Sequence, residues 1–405
     1  KIRLVKSIKG AYDYELYGYE NEAYTLKVSA DKILIEAVTN TGVIRAAQTL
    51  AQLAEGCEKG YEAIPAVKIT DWPAFKLRGY MHDTGRSYIP VDELIKQIEL
   101  LSRFKVNTFH WHLTENQAWR FEVKAYPELT SVTSMTRHEG EYYTQEECRA
   151  VMEAAKKHGV IVIPEIDMPG HSAAFKRAMG YSMQTDEGVA VLKEVLTQLA
   201  DVFPDAPYIH IGADEEAITY TKDGKGFLEI MATHIRETLG RKMVVWNPIK
   251  GVAINSTMCD MTQMWSSGGK NIDGVPDIDC RYNYTNHFDV FADLIGIYKS
   301  NIYYEQQGSP EVAGTISAPW NDRKTATEKD IYAQNNIYAN TLASAERAWI
   351  GGGKQYIEKG GTMLPNGGEE YYDFVDFERR LLFHKANSLK NVPIPYVKQT
   401  NVRWR

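Results

Sequence analysis

The chain has 405 residues, 44% apolar and 24% charged, which gives ample material for a folded core and excludes a disordered or fibrous class. A net charge of -7 without a long Lys/Arg run argues against a nucleic-acid or anionic-membrane partner. No run of 18 apolar residues occurs, so no transmembrane helix is expected.

Cys57, Cys148, Cys259 and Cys280 form no C-x-x-C pair, which excludes a zinc knuckle or redox motif and leaves buried free thiols as the expectation. The chain begins at Lys1 rather than Met, although it shows no leader segment. A secreted or periplasmic location is expected.

Residues 1–70 read as a small α/β unit. YTLKV (24–28) and KILIEAV (32–38) are strand-like and are joined by Ser29, Ala30 and Asp31. A helix follows through VIRAAQTLAQLA, with Val43, Ala47, Leu50 and Leu53 at helical spacing. Asp71-Trp72-Pro73 then punctuates the chain.

Residues 71–405 change to alternating strand and helix. Eight strand candidates stand out: LRGYMHD (77–83), VNTFHWHL (106–113), VIVIPEID (160–167), YIHIGADE (208–215), MVVWN (243–247), MTQMW (261–265), CRYNY (280–284) and GTISAPW (314–320). Helical patterns separate several of them, and Thr144 with Glu147 has capping-box spacing. The pattern predicts an α/β fold, a (β/α)8 TIM barrel preceded by a small α/β domain.

Chemistry in such barrels sits at the C-terminal strand ends. Here those ends carry Asp83, Glu115, Asp167, Asp214, Glu215, Trp246, Trp265, Tyr284 and Trp320. Acids and large aromatics converging on one rim point to a sugar, whose apolar ring faces stack on indoles and whose hydroxyls need charged partners. Asp214 and Glu215 are adjacent, so on an extended strand they would point to opposite faces. Both reach one substrate only where the strand has ended and the backbone turns.

HIGADEE is the signature of a known family, and LRGYMHDTGR, FHWHLTENQAWR with KAYPELT, VIPEIDMPGHSAAF, VVWN, QMW, YTN, APWND and ASAERAW fall in that family's order and approximate spacing. The chain resembles the β-N-acetylhexosaminidases of glycoside hydrolase family 20 along nearly its whole length, the first unit included. The resemblance implies retaining, exo-acting removal of a terminal β-linked N-acetylhexosamine from a glycan. It implies no cofactor and no metal. It also implies substrate-assisted catalysis, in which the 2-acetamido oxygen attacks the anomeric carbon.

Residue by residue, the resemblance implies that Glu215 is the acid/base and that Asp214 orients the acetamido N–H. It implies Arg78 on ring hydroxyls, and Tyr284 on the acetamido oxygen. Trp246, Trp265 and Trp320 become the aromatic walls. Asn286 and Asp322 bind outer hydroxyls, and Glu115 and His171 lie beside the acid/base. Glu216 is read as solvated or structural, and Asp83, Arg86 and Asp167 as rim or core ion-pair members. An ion pair with Asp83 is the alternative for Arg78.

Three stretches depart from the family pattern: TEN at 114–116, WN at 246–247 and WND at 320–322. None touches Asp214 or Glu215.

Two other classes compete. His110 and His112 lie on one strand face and, with His171, His210 and Asp214, could serve a metal-dependent amidohydrolase barrel. A non-catalytic N-acetylglucosamine-binding protein could use the same barrel.

Overall fold

A computed structural model describes residues 1–57, 63–281, 283–286, 294–334, 336–354 and 367–395. The first unit is a four-stranded sheet of β1 (Ile2–Leu4), β2 (Tyr24–Ser29), β3 (Lys32–Ala37) and β4 (Val67–Asp71), ordered β1-β3-β2-β4, with α1 (Asn40–Cys57) packed on it. Alternation explains its core: Tyr24, Leu26 and Val28 are buried on one face, while Lys27 between them is exposed.

The second unit is a closed parallel barrel. Its strands begin with β5 (Leu77–Asp83), β6 (Thr108–His112), β7 (Ile161–Glu165) and β8 (Tyr208–His210). A two-stranded hairpin, β9 (Thr221–Lys222) with β10 (Lys225–Gly226), lies outside the ring. The ring continues with β11 (Lys242–Asn247), β12 (Met261–Met264) and β13 (Asp277–Asp279). After β14 (Tyr284–Asn286) it closes with β15 (Val312–Trp320), which pairs with both β13 and β5. Every residue of β5 and of β15 is buried, as expected of strands covered on both faces.

The helices are α2 (Val91–Ser102), α3 (Gln145–Lys157), α4 (Ala173–Met179), α5 (Asp186–Val202), α6 (Phe227–Thr233), α7 (Leu294–Lys299), α8 (Glu328–Gln334), α9 (Ile337–Ile350) and α10 (Glu369–Ala386). α3 starts at the capping box read from its spacing, with Glu147 N donating to Thr144 Oγ1 at 3.2 Å and Thr144 N donating to Glu147 Oε2 at 2.8 Å. Cys148, Cys259 and Cys280 are buried free thiols, and the Cys57 side chain lies outside the described residues. Among the described residues no helix is long and apolar enough to cross a membrane.

The seventh strand differs from expectation. CRYNY at 280–284 was the predicted strand, but the ladder runs through Asp277–Asp279, leaves the sheet, and resumes as β14 beside Ala318–Trp320. Two acids in three residues conceal this strand from apolar patterning. Partners distant in sequence make them tolerable: the Thr262 hydroxyl donates to Asp277, and the Arg281 guanidinium and Tyr303 N–H donate to Asp279. The fourth strand also stops early, at His210, five residues short of the predicted end at Glu215.

Arg78 is the clearest correction. It lies at the N-terminal end of β5, away from the C-terminal rim, and is fully buried. Its Nη2 donates to both Glu22 oxygens at 2.7 and 2.8 Å, Nη1 to Phe75 O, and Nε to Lys105 O. Arg45 Nε reaches the same Glu22 at 2.5 Å. Burial alone would raise the Glu22 carboxyl, but the two guanidinium groups outweigh it and hold it below its ordinary range. Arg78 therefore ties the small unit to the base of the barrel, rather than pairing with Asp83. Arg78→Met is expected to lower stability by about 3 kcal/mol, read by urea denaturation, with KM close to that of the parent. A KM rise with stability intact would contradict this placement.

Candidate active site

The C-terminal rim is assembled from the turns that follow the strands. After β8 the chain passes through Gly212, Ala213 and Glu215, whose φ angles are +66°, +78° and +46°. Left-handed backbone at two non-glycine residues is unusual and gathers at functional turns. It ends the strand and lets Asp214 and Glu215 face one cleft.

The Gly212 position requires glycine. A Cβ there would sit 1.8 Å from Asp167 Oδ1. Gly212→Ala should therefore shift the turn and cut kcat/KM about 100-fold while the circular dichroism spectrum is retained. Steady-state kinetics beside the spectrum checks this.

The two adjacent carboxylates have different surroundings. Asp214 is 6% exposed and its Oδ1 has no hydrogen-bond partner among the described residues. Burial, with Glu165 and Glu215 nearby, pushes its carboxyl up to about 6 against the opposing pull of His171. The Glu215 side chain is 60% exposed. One is a dry, oriented group and the other is open to an incoming molecule.

His171 stands between them and the wall. Its Nδ1 lies 2.8 Å from Glu115 Oε1, and its Nε2 lies 3.3 Å from Glu215 and 4.0 Å from Asp214. Burial would lower its imidazole, yet the Glu115 hydrogen bond and the surrounding acids raise it to about 11. It is thus an imidazolium bridging Glu115 to the pair. Glu115 is held in turn by Arg86 Nη2 at 2.5 Å and by Asn116 N at 2.5 Å.

Arg86, read from sequence as a rim ion-pair member, is the arginine of this site. It pairs with Asp83 at 2.9 Å and with Glu115, lies 3.7 Å from Asp322, and sits over the Trp320 ring at 5.2 Å. Its direction along the strand could have revealed it. Arg78 and Asp83 are five residues apart on β5, about 17 Å of extended chain, so only an arginine beyond Asp83 reaches the C-terminal rim.

Aromatic rings line the other side. Trp246 and Trp320 have centroids 5.7 Å apart, Trp320 and Tyr284 5.6 Å, and Trp265 and Tyr284 5.8 Å. The Trp265 indole N–H donates to Pro248 O at 3.1 Å, which fixes its ring. Asp322 is one-third exposed at the edge, and its backbone oxygen accepts from Arg137. Asn286 pairs through its backbone with Trp320, and its side chain lies outside the described residues.

The rim thus brings together Asp214, Glu215, Glu115, His171, Trp246, Trp265, Tyr284, Trp320 and Asp322, and it excludes Arg78. Residues 75–187 match the glycosyl hydrolase family 20 catalytic domain, and residues 7–72 match domain 2 of the same family. Two consecutive domains of glycosyl hydrolase family 20 are thus matched, in order, across residues 7–187.

Similar proteins carry related names. A beta-hexosaminidase of Vibrio furnissii is 32% identical over 278 residues, covering 55% of this chain and 45% of the relative. A beta-N-acetylhexosaminidase of Cellulomonas fimi is 32% identical over 258 residues, covering 58% and 52%. The chain spans about half or less of these curated relatives. The crystal structure of beta-N-acetylhexosaminidase from Bacteroides fragilis superposes with a TM-score of 0.73 at 28% identity, covering 91% of this chain and 83% of that one.

The histidines of the alternative reading have another occupation. His110, His112 and His210 all close on Glu165 beneath the aromatic wall. The family assignment does not favour the amidohydrolase alternative.

Proposed function

We propose that this chain removes a terminal β-linked N-acetylhexosamine from a glycan, with retention at the anomeric carbon. The supporting observation is the adjacent pair after β8: Asp214 is buried with an oxygen that has no hydrogen-bond partner among the described residues, and Glu215 is exposed beside His171.

In the first step the acetamido oxygen attacks the anomeric carbon, the glycosidic bond breaks, and Glu215 gives its proton to the leaving oxygen. Asp214 accepts the acetamido N–H and stabilises the positive charge on the oxazolinium ring. Tyr284 holds the acetamido oxygen. In the second step Glu215 takes a proton from water as that water attacks the anomeric carbon and the ring opens. Two displacements give net retention.

Arg86 is the residue we assign to the ring hydroxyls, since its forked donors suit paired oxygens. Trp246, Trp265 and Trp320 enclose the acetamido group and the sugar face, and Asp322 and Asn286 take outer hydroxyls. Residues 1–70 support the barrel from below through Glu22, and residues 71–405 carry the chemistry.

The test is nitrophenol release from nitrophenyl N-acetyl-β-glucosaminide and from the plain β-glucoside, each with and without a chelator. Chelator-insensitive cleavage of the acetamido sugar alone is expected. Cleavage of both would indicate a two-carboxylate enzyme. Cleavage that needs a metal would restore the amidohydrolase alternative.

A further inference from the structure

Beneath the pocket lies a fully buried carboxylate that the proposed chemistry does not use. Glu165 Oε1 accepts the Trp246 indole N–H at 3.0 Å. Its Oε2 lies 2.7 Å from His110 Nε2 and 2.6 Å from His112 Nδ1. A carboxylate here only accepts, so both imidazoles present N–H to it. His210 Nδ1 lies 3.2 Å from Oε1 and accepts the Gly212 N–H at 2.9 Å.

Among the described residues, only histidines lie within ion-pair distance of Glu165. Burial opposes its charge, but His112, His210 and His110 outweigh burial and hold the carboxyl well below its ordinary range. Burial would also lower His112, and Glu165 raises it instead to about 9. Both therefore stay charged through neutral pH.

The connections lead to the aromatic walls. The Trp246 ring is fixed by its N–H and lies tilted against the His210 ring, with centroids 4.9 Å apart. The His112 ring meets the Trp320 ring edge-on at 5.0 Å. Glu165 thus holds one wall directly and backs a second through His112.

We propose that Glu165 is a positioning residue that fixes Trp246 and, through His112, Trp320, and so sets the size of N-acyl group that the pocket accepts. This rests on reading the aromatic pocket as the acetamido site. A fixed wall discriminates by volume, and one added methylene in such a pocket is worth about 10-fold or more. A wall freed of its anchor yields to the larger group.

The experiment compares nitrophenyl β-glycosides of N-acetyl- and N-propionyl-glucosamine. The parent protein should prefer the N-acetyl substrate in kcat/KM by about 10-fold or more, and Glu165→Gln should reduce that preference to within about threefold. A merely structural role would lower both activities together and leave their ratio unchanged, and that result overturns the proposal. Should Glu165→Gln not fold, Glu165→Asp carries the test, since it keeps the buried charge and withdraws it from the indole. Trp246→Phe should relax the ratio in the same direction, and adding Glu165→Gln to it should change the ratio by less than Glu165→Gln changes it in the parent, because the Trp246 wall is shared and only the Trp320 wall is left to loosen. If the parent cleaves neither glycoside, the functional reading fails; if it is selective and the Glu165 variants remain equally selective, only the positioning role fails.

Discussion

Glu215→Gln is expected to lower kcat/KM toward glycosides with poor leaving groups by about 10³-fold, within the span of general acid–base catalysis. Glutamine keeps the shape and cannot give or take the proton. Toward nitrophenyl glycosides the loss should be smaller, because an activated phenolate leaves without protonation. The second step still lacks its base, so some loss persists there too. The geometry makes this a clean substitution. The Glu215 side chain is 60% exposed and His171 Nε2 is 3.3 Å away, so little packing is disturbed. Parallel kinetics on an aryl glycoside and on a disaccharide reads the difference. Equal losses on both would remove Glu215 from the role of acid.

Asp214→Asn should have opposite effects on activity and stability. The kcat should fall about 10²–10³-fold, more than KM rises, because the charge matters most as the oxazolinium forms. Stability at neutral pH should rise by about 1–3 kcal/mol. The sign follows from burial, which lifts this carboxyl to about 6 from an ordinary 3.8. The fold then favours the protonated form. That favourable contribution is complete below about pH 4 and is lost as pH rises through about 6. Asparagine carries no charge and avoids the loss, so the stability gap between variant and parent should open across that interval and stay constant above it. Urea denaturation at several pH values measures it. In the parent the same ionisation should give the rate an acid limb near pH 6. A limb retained in Asp214→Asn would assign it to another group.

These two variants separate roles that adjacency alone leaves merged. Both residues come from one short stretch, yet one is buried and the other exposed. That difference in exposure follows the left-handed backbone at Gly212, Ala213 and Glu215, beyond the end of β8 at His210.

The barrel, the small unit before it and the adjacency of Asp214 and Glu215 were legible along the chain because they are written locally: apolar runs alternate with helical spacing, and acids and aromatics follow directly on strand ends. The tertiary structure alone decided what depends on partners far along the chain. Arg78 became a structural residue because Glu22, from the other unit, meets it at the base of the barrel. Arg86 became the site arginine because Glu115 and Asp322 come to it from two other strand ends. The seventh strand ran through Asp277 and Asp279 because Thr262, Arg281 and Tyr303 supplied the donors that make buried acids tolerable. Glu165 became an anchor because three histidines and an indole from three other strands turn toward it. A buried charge is stable only with its partners in place, and periodicity in a sequence carries no record of which distant residues those are.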